Sequence, residues 1–237
     1  MEAIFEVRFQ PSLPTAGDLL PGLLFEKLGL EYPNLEQLPV GTIPREMREK
    51  DANLHYLATY RLSGGSRWIQ VGDRVATVSV GAPYPGWTRF KDAILQMLRI
   101  VAGTTLMREP ERFSFRYINV IPAQPDRLQL PLLSVRTSWP GHEFAERGFQ
   151  LRFEVEDRGY ITVVQVAPQV TLKKPDSLVS GLMVDVDTIR TRPARDFWEG
   201  DAALLEDAHS VVKQTFFTLL DRSTLERLGP MYDAATV

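Results

Sequence analysis

Alternation with a period of two constrains this chain more than any other feature. Between Glu2 and Phe9, Ala3, Phe5, Val7 and Phe9 fall on one side, and Ile4 and Glu6 fall on the other. Phe113, Phe115, Tyr117, Asn119 and Ile121 share a side in the same way. Phe149, Leu151, Phe153 and Val155 alternate with Gln150, Arg152, Glu154 and Glu156; after Asp157-Arg158-Gly159 the pattern resumes with Tyr160, Thr162, Val164 and Val166. Successive side chains of a strand point to opposite faces, so these segments read as strands with one face in a core. Gly64-Gly65 and Gly72-Asp73 separate three further apolar runs, 55–62, 67–71 and 74–80. Glycine accepts positive φ, so these pairs predict antiparallel hairpins. Leu182–Thr188 reads as another strand, and a short one is expected at 45–49 within the proline-rich segment 31–53.

Helical spacing appears between these runs. Trp87, Phe90, Ile94, Met97, Leu98 and Val101 form one stripe along 88–101. Leu205, Ala208, Val212, Phe216 and Leu219 form another, opened by Asp201 as N-cap. A helix over 18–28 would hold Pro21 in its first turn and stop at Gly29. Ser223-x-x-Glu226 reads as a capping box for a short last helix closed by Gly229-Pro230. Together these elements predict an α+β fold, with amphipathic helices packed on antiparallel sheets. Prolines 122, 125, 131 and 140 mark a connector. Each side of it shows antiparallel strands followed by a helix preceded by Trp87 or Trp198, which suggests two related halves, 1–124 and 125–237, in one compact unit.

Composition narrows the chemistry. The 237 residues contain no Cys, which removes disulfides, thiolate catalysis, zinc–sulfur sites and iron–sulfur clusters. A formal net charge of −3 gives no global basic field for nucleic acid or an anionic membrane. Residues 1–25 lack a basic start followed by a long apolar run, and no apolar stretch approaches the roughly 20 residues needed to span a bilayer. A cytoplasmic bacterial protein is the expectation.

Three segments carry a resemblance. Glu2-Ala3-Ile4-Phe5-Glu6-Val7-Arg8-Phe9, Tyr84-Pro85-Gly86-Trp87 and Phe115-Arg116-Tyr117-Ile118-Asn119, with Asp185-Val186-Asp187 and the helix around His209, resemble a sporadically distributed bacterial family of unknown function. The resemblance covers most of the chain and brings no activity with it. It implies an accessory gene setting, such as phage defence.

Several polar residues are candidates for chemistry. Glu6, Arg8, Arg116 and Asn119 sit inside apolar strands. A buried charge requires a partner, and Glu6–Arg116 or Arg8–Asp187 pairs are the structural expectation. The functional alternative is a polar pocket in which Arg8, Arg116 and Asn119 hold an anion. Asp185 and Asp187 share a strand face and could hold Mg²⁺, with Glu154 and Glu156 to supply a third ligand and a base; two acids on a solvated strand is the plainer reading. Tyr84-Pro85-Gly86-Trp87 reads as a turn into a helix, with an aromatic ligand platform as the alternative. His55, His142 and His209 fall in no metal-binding spacing, and His209 is expected to pack or hydrogen-bond rather than act as a base. His142-Glu143 is expected in an exposed loop. No phosphate loop and no G-x-S-x-G elbow is present.

The sequence therefore predicts a non-enzymatic module that binds a protein partner or regulates one. Self-association through the Leu205–Leu219 stripe is a further expectation. The rival reading is a Mg²⁺-dependent enzyme, or a sensor, acting on a nucleotide or nucleic acid.

Overall fold

The computed structural model describes residues 1–124, 129–136, 140, 149–174, 177–193, 197–198 and 200–229. His142-Glu143, Pro125 and Pro230 lie outside these residues. The strands are β1 (Glu2–Pro11), β2 (Asn34–Gln37), β3 (Ala58–Gly64), β4 (Arg67–Gly72), β5 (Val75–Val80), β6 (Met107–Pro122), β7 (Leu151–Asp157), β8 (Tyr160–Lys174) and β9 (Ser177–Thr191). They form one nine-stranded sheet in the order β2-β3-β4-β5-β1-β6-β9-β8-β7, and all its pairs are antiparallel. The helices are α1 (Ala16–Leu28), α2 (Arg45–Lys50), α3 (Trp87–Gly103), α4 (Ala202–Leu219) and α5 (Arg222–Leu228). The fold is α+β, as the alternation and the helical stripes predict. Among the described residues no helix is long and apolar enough to cross a membrane.

The chain connects its strands by the same plan twice. Outward from the central β1–β6 pair, the sheet runs β5, β4, β3 on one side, with the short β2 added at its edge, and β9, β8, β7 on the other. In each arm the central strand comes first in sequence, a three-strand meander returns to lie beside it, and a long helix follows: α3 after β5, α4 after β9. The expected division at 124/125 falls just beyond β6, where the chain leaves the centre of the sheet for its far edge.

Strand parity sets the two faces. Ala3, Phe5 and Val7 of β1 stand opposite Val80, Val78 and Ala76 of β5 and opposite Tyr117, Phe115 and Phe113 of β6. These residues join Leu20 and Leu24 of α1, Phe90, Ile94 and Leu98 of α3, and Leu205 and Val212 of α4 in one core. The opposite face carries Glu6, Arg8, Arg112, Ser114, Arg116, Asp185 and Asp187. A hydrophobic core thus lies on one side of the sheet and a network of charges on the other.

Local chemistry explains the turns and caps. Arg158 and Gly159 both take positive φ, 48° and 77°, as a two-residue hairpin turn between β7 and β8 requires. Asp201 caps α4 by accepting from the Leu204 amide at 2.9 Å. The cap of α5 is Asp221, which accepts from the amides of Ser223 and Thr224. The expected capping box is therefore displaced: Ser223 lies inside the helix, because the aspartate two residues earlier reaches the same free amides. Gly229 closes α5 with φ 57°.

Three other expectations change. Residues 45–50 form α2 rather than a strand. Helix α1 begins at Ala16, so Pro21 lies beyond the first turn and is buried. The α4 stripe packs on its own sheet: Leu205 and Ala208 are fully buried, with Val212 and Leu219 nearly so. These four residues of the stripe are taken up by the chain's own core, and Phe216 is partly buried against it.

Helix α2 is fixed by a buried ion pair. Arg48, 4% exposed, donates from Nε to Asp73 Oδ2 at 2.7 Å and from Nη2 to Asp73 Oδ1 at 3.0 Å, and its Nη1 donates to the Ile43 carbonyl. Helix α1 closes over the same aspartate at Gly17, where a Cβ would lie 2.6 Å from Asp73 Oδ1 and 2.8 Å from its Cα. Removing one member of such a pair leaves a buried charge, at a cost of about 3–5 kcal/mol. Arg48→Met should lower unfolding free energy by that order in urea denaturation, and adding Asp73→Leu should recover part of the loss.

Candidate functional site

The alternation of β6 places Tyr117, Asn119 and Ile121 on the helix-bearing face, beside the start of α3 and the length of α4. On α4, Glu206, His209, Lys213 and Phe216 follow one another at spacings of 3, 4 and 3, which puts them on one side of the helix. Between them lies a cavity of about 390 Å³. Rings of Tyr84, Trp87, Tyr117, His209 and Phe216 make much of its wall, and Asn119 and Lys213 supply polar groups.

The wall is held by specific contacts. Trp87 and His209 stack face to face, with centroids 3.9 Å apart and planes at 3°. Glu206 accepts from Trp87 Nε1 at 2.7 Å and pairs with Lys91, which ties α3 to α4. Burial opposes ionisation of Glu206, but the Lys91 and Trp87 hydrogen bonds prevail and hold its carboxyl below the usual range. The Tyr84 and Tyr117 hydroxyls face each other at 3.4 Å, and burial pushes both phenols up, so both stay neutral. Burial, helped by the positive charge of Lys213, lowers His209 to about 4. It is a neutral, stacked ring at neutral pH, not a proton carrier poised to act.

Arg8 and Arg116 occupy the opposite face from Asn119. Residues 116 and 119 are three apart on one strand, so they must point to opposite sides. The structure therefore does not gather Arg8, Arg116 and Asn119 at one point. The expected ion pairs also differ. Arg8 Nε donates to Glu6 Oε1 at 2.7 Å, Arg112 Nη2 donates to the same oxygen at 2.9 Å, and the Arg8 guanidinium lies over the Tyr56 ring at 4.3 Å. Arg116 holds Asp185 in a two-point grip, Nε to Oδ1 at 2.9 Å and Nη2 to Oδ2 at 2.6 Å. Arg116 stands directly opposite Asp187, yet its long side chain reaches the diagonal neighbour.

Asp185 and Asp187 do share a face, as their spacing requires. Asp185 is 4% exposed and taken up by Arg116. Burial raises the Asp187 carboxyl, against the Ser114 hydroxyl and the charges of Arg112 and Arg116, and its Oδ1 is buried without a hydrogen-bond partner. Glu154 lies two strands away, across Val163 from Asp187, and pairs with Arg152 at 2.8 Å. No cluster of three or more metal-ligating acids or histidines occurs among the described residues. His55 is half-buried, with Nε2 2.9 Å from the Glu49 carbonyl oxygen.

The two tryptophans that precede the long helices do different work. Trp87 is a cavity wall. Trp198 is 8% exposed, donates from Nε1 to the Arg108 carbonyl at 2.9 Å and meets Phe9 edge-on at 5.9 Å, which fastens the approach to α4 onto the start of β6. No protein-family model matches the chain, and no curated protein matches it in sequence.

The lowered pKa of His209 gives a pH dependence with a definite sign. Between about pH 4 and 6.5 the unfolded chain binds more protons at this residue than the folded chain does. The stability conferred by the neutral imidazole is therefore complete above pH 6.5 and is lost as pH falls toward 4. In urea denaturation across that range, His209→Phe should lose less stability than the wild type. Parallel losses would show that protonation of the stacked ring does not oppose folding.

Proposed function

We propose that this chain is a non-enzymatic regulatory module that binds a ligand in the aromatic cavity and acts through a protein partner. The cavity carries the reading. Its volume falls in the range of small-molecule sites, and it has the apolar wall and few convergent polar groups of a binding site. Three of the groups that could do chemistry are otherwise engaged. His209 is neutral and stacked, Glu206 is held by Trp87 and Lys91, and Asp185 is held by Arg116. The family resemblance adds the biological setting, a bacterial accessory locus such as one for phage defence.

A neutral fluorescent probe tests this directly. N-phenyl-1-naphthylamine should brighten on binding the wild type and should not brighten with Asn119→Trp, whose indole fills the cavity. The metal-enzyme alternative is tested on the same samples. Mg²⁺ or Mn²⁺ should give no thermal stabilisation that depends on Asp185. Failure of the probe to bind, or metal stabilisation lost in Asp185→Asn, would overturn the reading.

A further inference from the structure

From the charges around the cavity we infer its ligand class: a small planar aromatic carboxylic acid. This rests on the ligand-binding reading above and narrows it. Lys213 is the one charged side chain among the described residues lining the cavity. It is half-buried and has no hydrogen bond or ion pair with any described residue. The nearest acid on its own helix face, Glu206, is already engaged by Lys91 and Trp87. His209, one turn before Lys213, is uncharged at neutral pH. A partly desolvated ammonium without a counter-ion favours an anionic group brought by the ligand.

The form of the cationic site selects the anion. A single ammonium is a point charge, without the planar fork of arginine that matches phosphate oxygens in pairs. The described residues lining the cavity include no arginine and no glycine-rich loop. A monoanionic carboxylate suits this site better than a phosphate or a nucleotide. The Asn119 carboxamide, also without a partner among the described residues, is a second polar group that can bond to the ligand.

The walls select the remainder of the molecule. Tyr84, Trp87, Tyr117 and Phe90 already meet one another edge-on, with centroids 6.1–6.4 Å apart for Tyr84–Tyr117, Tyr84–Phe90, Trp87–Phe90 and Phe90–Tyr117. Another ring entering between Tyr117 and Phe216 extends this arrangement, in which rings pack at about 4.5–7 Å between centroids. One face of Trp87 is already covered by His209, so the ligand ring lies against the other rings rather than between these two.

The experiment compares indole-3-acetate with its neutral isostere, indole-3-acetamide, by calorimetric titration of the full chain. Wild type should bind the acid about tenfold or more tightly than the amide, as expected when a charge-assisted contact replaces a neutral one. Lys213→Gln should remove the preference for the acid over the amide; Lys213→Arg should restore most of it. Equal binding of acid and amide by the wild type, or a preference that survives in Lys213→Gln, would overturn the inference while leaving the cavity reading intact. If neither compound binds although N-phenyl-1-naphthylamine does, the ligand class is wrong; if the naphthylamine also fails, the cavity reading falls with it.

Discussion

The antiparallel pairing of β1 with β6 is the constraint on which the rest of the molecule depends. It aligns Ala3, Phe5 and Val7 with Tyr117, Phe115 and Phe113, so one face at the centre of the sheet is wholly apolar. The same register brings Glu6 beside Ser114 and Arg8 beside Arg112 on the other face. A shift of one residue would exchange the two sets and place arginines under the helices. The register is thus enforced from both sides, by burial on one and by charge pairing on the other. The long helices can settle only on the apolar side, and the cavity exists only because they do.

Aromatic packing then gives the helix face its shape. Phe115 lies among Phe5, Phe113, Phe90 and Trp87, with centroids 5.2–6.3 Å apart. Such rigid groups fill a core well but leave spaces where the elements diverge. Toward the end of β6, Asn119 on the strand and Lys213 on α4 face the space between the elements, and it stays open. The opposite face opens too, into a cavity of about 480 Å³ lined by Arg8, Tyr56, Glu111 and Arg112 among others, but its walls are polar and guanidinium groups occupy the carboxylates there. Glu6 serves Arg8 and Arg112, and Asp185 serves Arg116.

Much of this was legible in the sequence. Strict alternation located the inner strands, the glycine pairs located the hairpins, and Asp201 located the start of α4. The misread segments are those in which a nearby residue outcompeted a local pattern. Asp221 took the capping role ahead of Ser223. Residues 45–50 became helical because α2 presents Arg48 to Asp73, a contact 25 positions distant that no local spacing reveals. The edge strand β2 is exposed along its whole length and carries no alternation to detect. For the site, parity alone separates Arg116 from Asn119. The 3-4-3 spacing from Glu206 to Phe216 was also present, but its meaning depended on knowing that α4 lies beside β6 and Trp87. The Arg116–Asp185 grip required the register of two distant strands, together with the reach of a side chain across a diagonal.

The doubled plan of connection has a consequence for how the cavity is owned. Tyr84 and Trp87 belong to the first arm; Asn119, His209, Lys213 and Phe216 belong to the second. Cutting the backbone between α3 and β6 would therefore produce two fragments, each holding an incomplete wall. Only their reunion along β1 and β6 would re-create the cavity, so its wall is a joint property of both pieces and resides in neither one separately.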